Sequence, residues 1–217
     1  MERELKALIF DFGGVLTSPL VKSMDSFVDG DGINPESFRQ AMRDWLGLSY
    51  GTDAEVSPVH ALERGEIDVP DFERELAARL TTIDGGAVEA DGLQTRMSAG
   101  FGHEPMMAEA LRHAKAAGLS TALLSNSWGN EYPRDGWDEM FDAVVISGEV
   151  GMRKPEARIY ELVADQLGLP PEQCVFVDDL LPNIEGAEEV GMVGVHHVTP
   201  QETLEKLEAL LGVSLRG

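Results

Sequence analysis

Two textures of hydrophobic patterning divide the 217-residue chain. In the N-terminal segment, and again beyond about residue 97, short apolar runs alternate with stretches whose apolar positions recur every three or four residues. The runs at 5–10, 119–124, 143–146, 174–177 and 193–198 are apolar and often β-branched, as strands buried on both faces of a parallel sheet are. Between them the helical stretches are punctuated. Pro105 opens one, with Met107, Ala110, Leu111 and Ala114 at helical spacing and Gly118 as its stop. Pro155 opens another, with Ile159, Leu162, Val163 and Leu167 on one face and Gly168 closing it. Pro182 starts a third that ends near Gly191, and Pro200 precedes Leu204, Leu207 and Leu211. Strands alternating with helices of this length predict a parallel α/β sheet. Residues 17–97 lack the alternation. They hold helical stretches at 36–46 and 71–80 between loops rich in Gly, Asp and Pro, which predicts a helical insert after the first strand.

Composition narrows the picture. The length fits one large domain, or a core with a modest insert, and an apolar share of 43% suffices for a core. No run of about 18 uncharged apolar residues occurs. The opening MERELKALIF runs from charged residues straight into a strand pattern, unlike a secretory leader. The lone Cys174 has no partner for an internal disulfide and sits in the strand-like CVFV. The expected compartment is the cytoplasm. Asp and Glu number 39 against 17 Lys and Arg, a net charge of −22. So acidic a chain speaks against nucleic acid, whose binding needs cationic surface, and against anionic membranes. A small anionic substrate stays compatible, because a metal ion and one or two cations reverse the field locally.

Candidate chemistry gathers at the predicted strand ends, where open α/β sheets bind ligands. In chain order these read IFDFGGVLT with Asp11, ALLSNSW with Ser125, GMRKPEARIY with Lys154, and VFVDDLLPN with Asp178 and Asp179. A carboxylate just past a strand and followed by Gly13 and Gly14 is rigid yet open to a ligand. It can attack phosphorus to form an acyl phosphate, which divides one hard step into two. Ser125 offers a hydroxyl, and backbone N–H groups around Asn126 can face phosphate oxygens. Lys154 can neutralise both nucleophile and transferring group, despite a predicted helix-start position that mildly disfavours a cation. The adjacent acids supply hard oxygen ligands for Mg²⁺. Singly, each is ordinary turn or capping chemistry; four in this order at four strand ends are not.

These four segments resemble the four motifs of the haloacid dehalogenase-like hydrolase superfamily, over residues 5–12 and about 106–211. Within it the chain is most similar to the N-terminal phosphatase domain of soluble epoxide hydrolases, through TALLSNSW and GEVGMRKPEARIY followed by VFVDDLLPNIEGAEEVGM. The resemblance implies a doubly wound parallel sheet of order 3-2-1-4-5, a core of residues 1–16 and 98–217, and a helical cap of 17–97. It implies a Mg²⁺-dependent phosphatase of a small phosphorylated metabolite. Asp11 would be the nucleophile, Ser125 the phosphate binder with Asn126 and Gly14 beside it, and Lys154 the charge stabiliser. Asp11, the Gly13 carbonyl, Asp178 and Asp179 would hold the metal. One departure matters: superfamily phosphatases usually carry an acid–base aspartate where this chain has Gly13, help worth about 10²–10⁴ in rate. Three readings follow. The first is a phosphatase whose leaving group needs little protonation, or whose cap or substrate supplies the proton. The second is a binder of phosphorylated ligands with little turnover. The third is a halide-displacing hydrolase, disfavoured by the retained acid pair. Response-regulator receivers use similar residues in another order, and neither GxGxxG nor GxxxxGK[ST] follows a strand.

Smaller signals remain open. Trp128 lines the substrate entrance or packs beneath the cap. Trp45, Tyr50 and His60 fall in the cap, where packing or surface placement is the plainer reading. His196 and His197 lack a third partner for zinc. Asn183 serves a metal-bound water or caps a helix, and Arg153 and Arg134 are candidate electrostatic helpers.

Overall fold

Alternation along ALIF, the first strand, sends Leu8 and Phe10 to one face of a sheet and Ala7 and Ile9 to the other. The computed structural model describes residues 4–47, 57–129 and 132–216. Among the described residues, β1 (Ala7–Phe10) is followed by α1 (Leu20–Gly30), α2 (Pro35–Gly47), α3 (Pro58–Glu63), α4 (Val69–Ala77) and α5 (Leu93–Ser98). Then α6 (Pro105–Ala116) leads into β2 (Ser120–Ser125), α7 (Trp137–Met140), β3 (Ala143–Ile146), α8 (Ser147–Val150) and α9 (Ala157–Leu167). The chain closes with β4 (Cys174–Asp178), α10 (Leu181–Glu189), β5 (Val193–His196) and α11 (Pro200–Leu211). All sheet pairings are parallel and the order is β3-β2-β1-β4-β5, as expected.

Two cores sandwich the sheet. Leu8, Phe10, Leu123, Val175 and Val177 pack under α6 and α11, through Leu111 and Leu207 among others. Ala7, Ile9, Leu124 and Phe176 pack under α9 and α10, through Ile159, Val163 and Ile184. Each fully buried aliphatic or aromatic side chain contributes roughly 1.5–3 kcal/mol. Several boundaries shift by one to three residues, and one of them bears on the site. Pro155 does not open α9: Glu156 N donates to Arg153 O at 2.8 Å, closing a turn, and the helix starts at Ala157. Lys154 therefore sits inside a turn rather than at a helix start.

Helices α1 to α5 bury a third cluster of their own, centred on Phe27, Phe38, Trp45, Leu62, Phe72 and Leu93. Trp45 and His60 lie buried in this layer; Tyr50 lies outside the described residues. The chain enters and leaves the layer side by side. Ser18 N donates to Gly102 O at 2.8 Å, Glu104 N donates to Leu16 O at 2.9 Å, and Thr17 bridges His103 in antiparallel fashion. Gly100 lets this ribbon pass α1, since a Cβ there would stand 2.9 Å from Ser23 O. No helix among the described residues is long and apolar enough to cross a membrane.

Candidate active site

The strand order brings distant residues together. With β1 between β2 and β4, Asp11, Ser125 and Asp178 all arrive at the carboxyl edge of three adjacent strands. Asp11 N donates to Val177 O at 2.9 Å, so the ladder fixes the backbone up to the carboxylate itself. Lys154 reaches in from its turn, fully buried. Its Nζ lies 2.8 Å from Asp11 Oδ1 and 2.6 Å from Asp178 Oδ2. Phe12 N also donates to Asp11 Oδ1 at 2.7 Å. Asn183 Nδ2 donates to both Asp178 oxygens at 3.1 Å, and Leu180 N donates to Oδ1 at 2.8 Å. The Asn126 side chain clamps the Lys154 backbone: its Oδ1 accepts from Lys154 N at 2.8 Å and its Nδ2 donates to Lys154 O at 3.1 Å. Gly14 N donates to Thr17 Oγ1 at 3.0 Å, and a Cβ on Gly14 would fall 2.3 Å from Asp179 Oδ2. Its positive φ of 74° adds a second reason for glycine.

Three carboxylates share one ammonium here. Burial, and then the charges of Asp178 and Asp179, hold the Asp11 carboxyl well above its ordinary pKa, with Lys154 opposing. Asp179 is pushed up to about 6, by burial first and Asp178 second. Burial alone would depress Lys154, yet Asp11 and Asp178 outweigh it and keep the ammonium charged. Oxygens of Asp11, Asp178 and Asp179 lie within 4.8 Å of one another. A compact set of hard oxygen donors carrying excess negative charge suits a divalent cation such as Mg²⁺. Above the carboxylates opens a cavity of about 490 Å³. Asp11, Gly13, Ser125, Asn126, Lys154 and Asp179 line its polar end, while Met24, Met97, Phe101, Trp128 and Leu180 give it apolar walls.

The haloacid dehalogenase-like hydrolase family matches the chain over residues 5–191. The chain belongs to that family. This hydrolase is 30% identical over 215 residues to the sesquiterpene phosphatase astK of Aspergillus oryzae, covering 95% of this chain and 97% of that protein. It is 27% identical over 224 residues to the mouse bifunctional epoxide hydrolase 2, covering 96% of this chain but only 39% of that protein. Among solved structures, a HAD family enzyme from Bacteroides thetaiotaomicron in complex with magnesium and inorganic phosphate has a TM-score of 0.62 at 20% identity, covering 89% of this chain and 94% of that one. The likeness to epoxide hydrolases seen in the motifs is thus matched along nearly the whole chain.

The hydrolase also contains site residues that its motifs do not announce. Glu63, at the end of α3, is buried and accepts from Arg153 Nε at 2.5 Å and from Trp128 Nε1 at 3.2 Å. Burial raises its pKa, and Arg153 opposes the rise. Its neighbour Arg64 pairs with Glu156 at 2.6 Å, so two ion pairs straddle the Lys154 turn from the helical layer. Glu63 and Arg153 are 90 residues apart, and nothing local in either segment marks the pairing. Trp128 both lines the cavity and packs against Phe72, ring centroids 5.8 Å apart, which joins its two anticipated roles. Tyr132, seven residues past Ser125, bonds the serine hydroxyl. By contrast Arg134 pairs with Glu149 on the surface, His196 Nε2 meets Asp179 O at 3.0 Å, and His197 Nδ1 meets Thr203 Oγ1 at 2.9 Å.

Replacing Glu63 with Gln leaves Arg153 buried without its counter-charge. The expected loss is roughly 3–5 kcal/mol in denaturant titration, and the double replacement Glu63→Met with Arg153→Met is expected to recover most of it. A Glu63→Gln protein as stable as wild type would show that the clasp contributes nothing to holding the layers together.

Proposed function

We propose that this hydrolase is a Mg²⁺-dependent phosphomonoesterase with Asp11 as nucleophile, acting on a phosphate ester whose organic part is apolar. The observation that carries the reading is the Lys154 ammonium held between Asp11 and Asp178 at the floor of the cavity. An ammonium fixed there favours the ionised form of Asp11 against the burial that opposes it, and meets the negative charge of an arriving phosphoryl group. Asp11 attacks phosphorus in line, the ester oxygen leaves, and water then hydrolyses the aspartyl phosphate. Ser125 and the backbone at Asn126 hold the phosphoryl oxygens, while the missing Cβ of Gly14 makes room for Asp179 beside them. Asp11, the Gly13 carbonyl, Asp178 and Asp179 would hold the magnesium ion, which supplies charge neutralisation at the nucleophile and the phosphate. Asn183 acts on Asp178, orienting both of its oxygens. The helical layer serves as the cap, and its Met24 and Met97, with Phe101 and Trp128, supply apolar walls for the organic group. The end-to-end likeness to a sesquiterpene phosphatase supports that substrate class. A second reading, binding of a phosphorylated ligand with little turnover, rests on Gly13, which offers no acid to the leaving oxygen.

The test is hydrolysis of an aryl phosphate, a long-chain isoprenoid monophosphate and a sugar phosphate, each with Mg²⁺ and with chelator. Turnover lost on chelation, with kcat/KM highest for the isoprenoid ester, is the expected result. Preference for the sugar phosphate would overturn the substrate class. Absence of turnover across the panel, with phosphate still bound, would favour the second reading.

A further inference from the structure

Ser125 is almost wholly buried, and its Oγ lies 3.0 Å from Tyr132 Oη. Among the described residues, the other contact of that hydroxyl, Asn126 O at 3.5 Å, is too long to hold its proton firmly. Tyr132 lines the same cavity as Asp11 and Ser125. Its ring is wedged edge-on between Phe12, at 5.0 Å and 72°, and Trp137, at 5.7 Å and 61°. Phe12 directly follows Asp11, and Trp137 is rooted in the core beneath the sheet. The phenol therefore has little freedom to swing away. Burial pushes its pKa up to about 12, with hydrogen bonds to Ser125 and Ser127 opposing and the charge of Asp11 adding, so it stays a protonated donor under working conditions.

Between a phenol and an alkanol, the phenol is the stronger acid and gives the better hydrogen bond. The pair then settles with Tyr132 donating and Ser125 accepting, and the serine's own proton is left to face the cavity. A hydroxyl that already accepts one bond is polarised into a better donor. We propose that Tyr132 is a positioning residue of the phosphate-binding group: it holds and polarises Ser125 so that the serine hydroxyl donates to an oxygen of the bound phosphoryl group. The inference rests on the phosphatase reading above. It adds a residue outside the four motifs, supplied by the loop after β2.

The test uses wild type, Tyr132→Phe, Ser125→Ala and the double variant, with an aryl phosphate as substrate and inorganic phosphate as competitive inhibitor. Phenylalanine keeps the ring packing and removes only the donor. Tyr132→Phe is expected to weaken phosphate inhibition and raise KM by about 5- to 10-fold, the span of one hydrogen bond, with unchanged Tm. In the Ser125→Ala background the same change should cost nothing further, because its effect passes through the serine. Unchanged phosphate inhibition in Tyr132→Phe, or effects that multiply with Ser125→Ala, would overturn the proposal while leaving the phosphatase reading intact. A wild type that neither turns over the ester nor binds phosphate would remove both.

Discussion

Asp11→Asn is expected to abolish turnover, with kcat lower by at least about 10⁴-fold and phosphate binding retained. The amide keeps the oxygen that accepts from Lys154 Nζ at 2.8 Å and from Phe12 N at 2.7 Å, so the loop need not move. It lacks the anionic electron pair that attacks phosphorus. The same change is expected to stabilise the metal-free protein at neutral pH. Burial and the neighbouring acids hold the Asp11 pKa well above its unfolded value. A carboxyl raised in this way favours the fold fully only below its unfolded pKa, and that advantage fades as pH climbs toward the folded pKa. The stability gap between Asp11→Asn and wild type, followed by thermal melts in chelator, should therefore widen from about pH 4 upward. Substantial turnover by the variant would place the nucleophile elsewhere. A gap that shrank with rising pH would contradict the electrostatic account.

Gly13→Asp is expected to act in the opposite direction. A Cβ at Gly13 meets nothing within 4 Å, and Gly13 is not among the glycines with positive φ. An aspartate therefore enters without displacing a neighbour, in contrast to any side chain at Gly14. From the cavity wall, a carboxyl could protonate the departing oxygen and later take a proton from water. For an alkyl phosphate, whose leaving group is poor, kcat/KM should rise by up to about 10²–10⁴-fold. For an aryl phosphate, whose leaving group needs little protonation, the rise should be small. No effect on either ester would mean that the proton already reaches the leaving oxygen by another route; equal gains on both would mean that the new carboxyl acts elsewhere than on the leaving oxygen.

The elements that were legible in the sequence are those whose signal is local. Residues 174–177 read as a buried strand because every side chain there is apolar, and Asp178 and Asp179 stand out as the first acids after it. Asp11 and Ser125 follow from the same logic, and with Lys154 they line one cavity. Lys154 was misplaced by two residues relative to its helix, because a proline that usually begins a helix here sits in a turn closed by Glu156. Long-range pairings escaped. Nothing near Glu63 marks it as the partner of Arg153, and the aromatic wedge around Tyr132 gathers Phe12 and Trp137 from separate stretches of chain. Asn126 carries a second role that its position does not announce: while its backbone stands beside Ser125, its side chain clamps the peptide groups of Lys154. The helical layer was the hardest region, since its helices pack on one another and leave no alternating rhythm to read.

The paired crossing at Ser18 and Gly102 bears on how such a protein changes over generations. Because departure and return of the helical layer are stitched together at one place, the chain joins layer to sheet through a short ribbon, whatever the layer's length. Insertions, losses or wholesale exchange of that layer could be sampled while the carboxylates and their lysine kept their geometry. Glu63 and Arg64 would have to find replacements for their partners on the Lys154 turn, and Phe72 and Gln94 for theirs on Trp128. On the phosphatase reading, the fold separates inheritance of chemistry from inheritance of taste, so that a lineage can trade one organic group for another without relearning how to cleave.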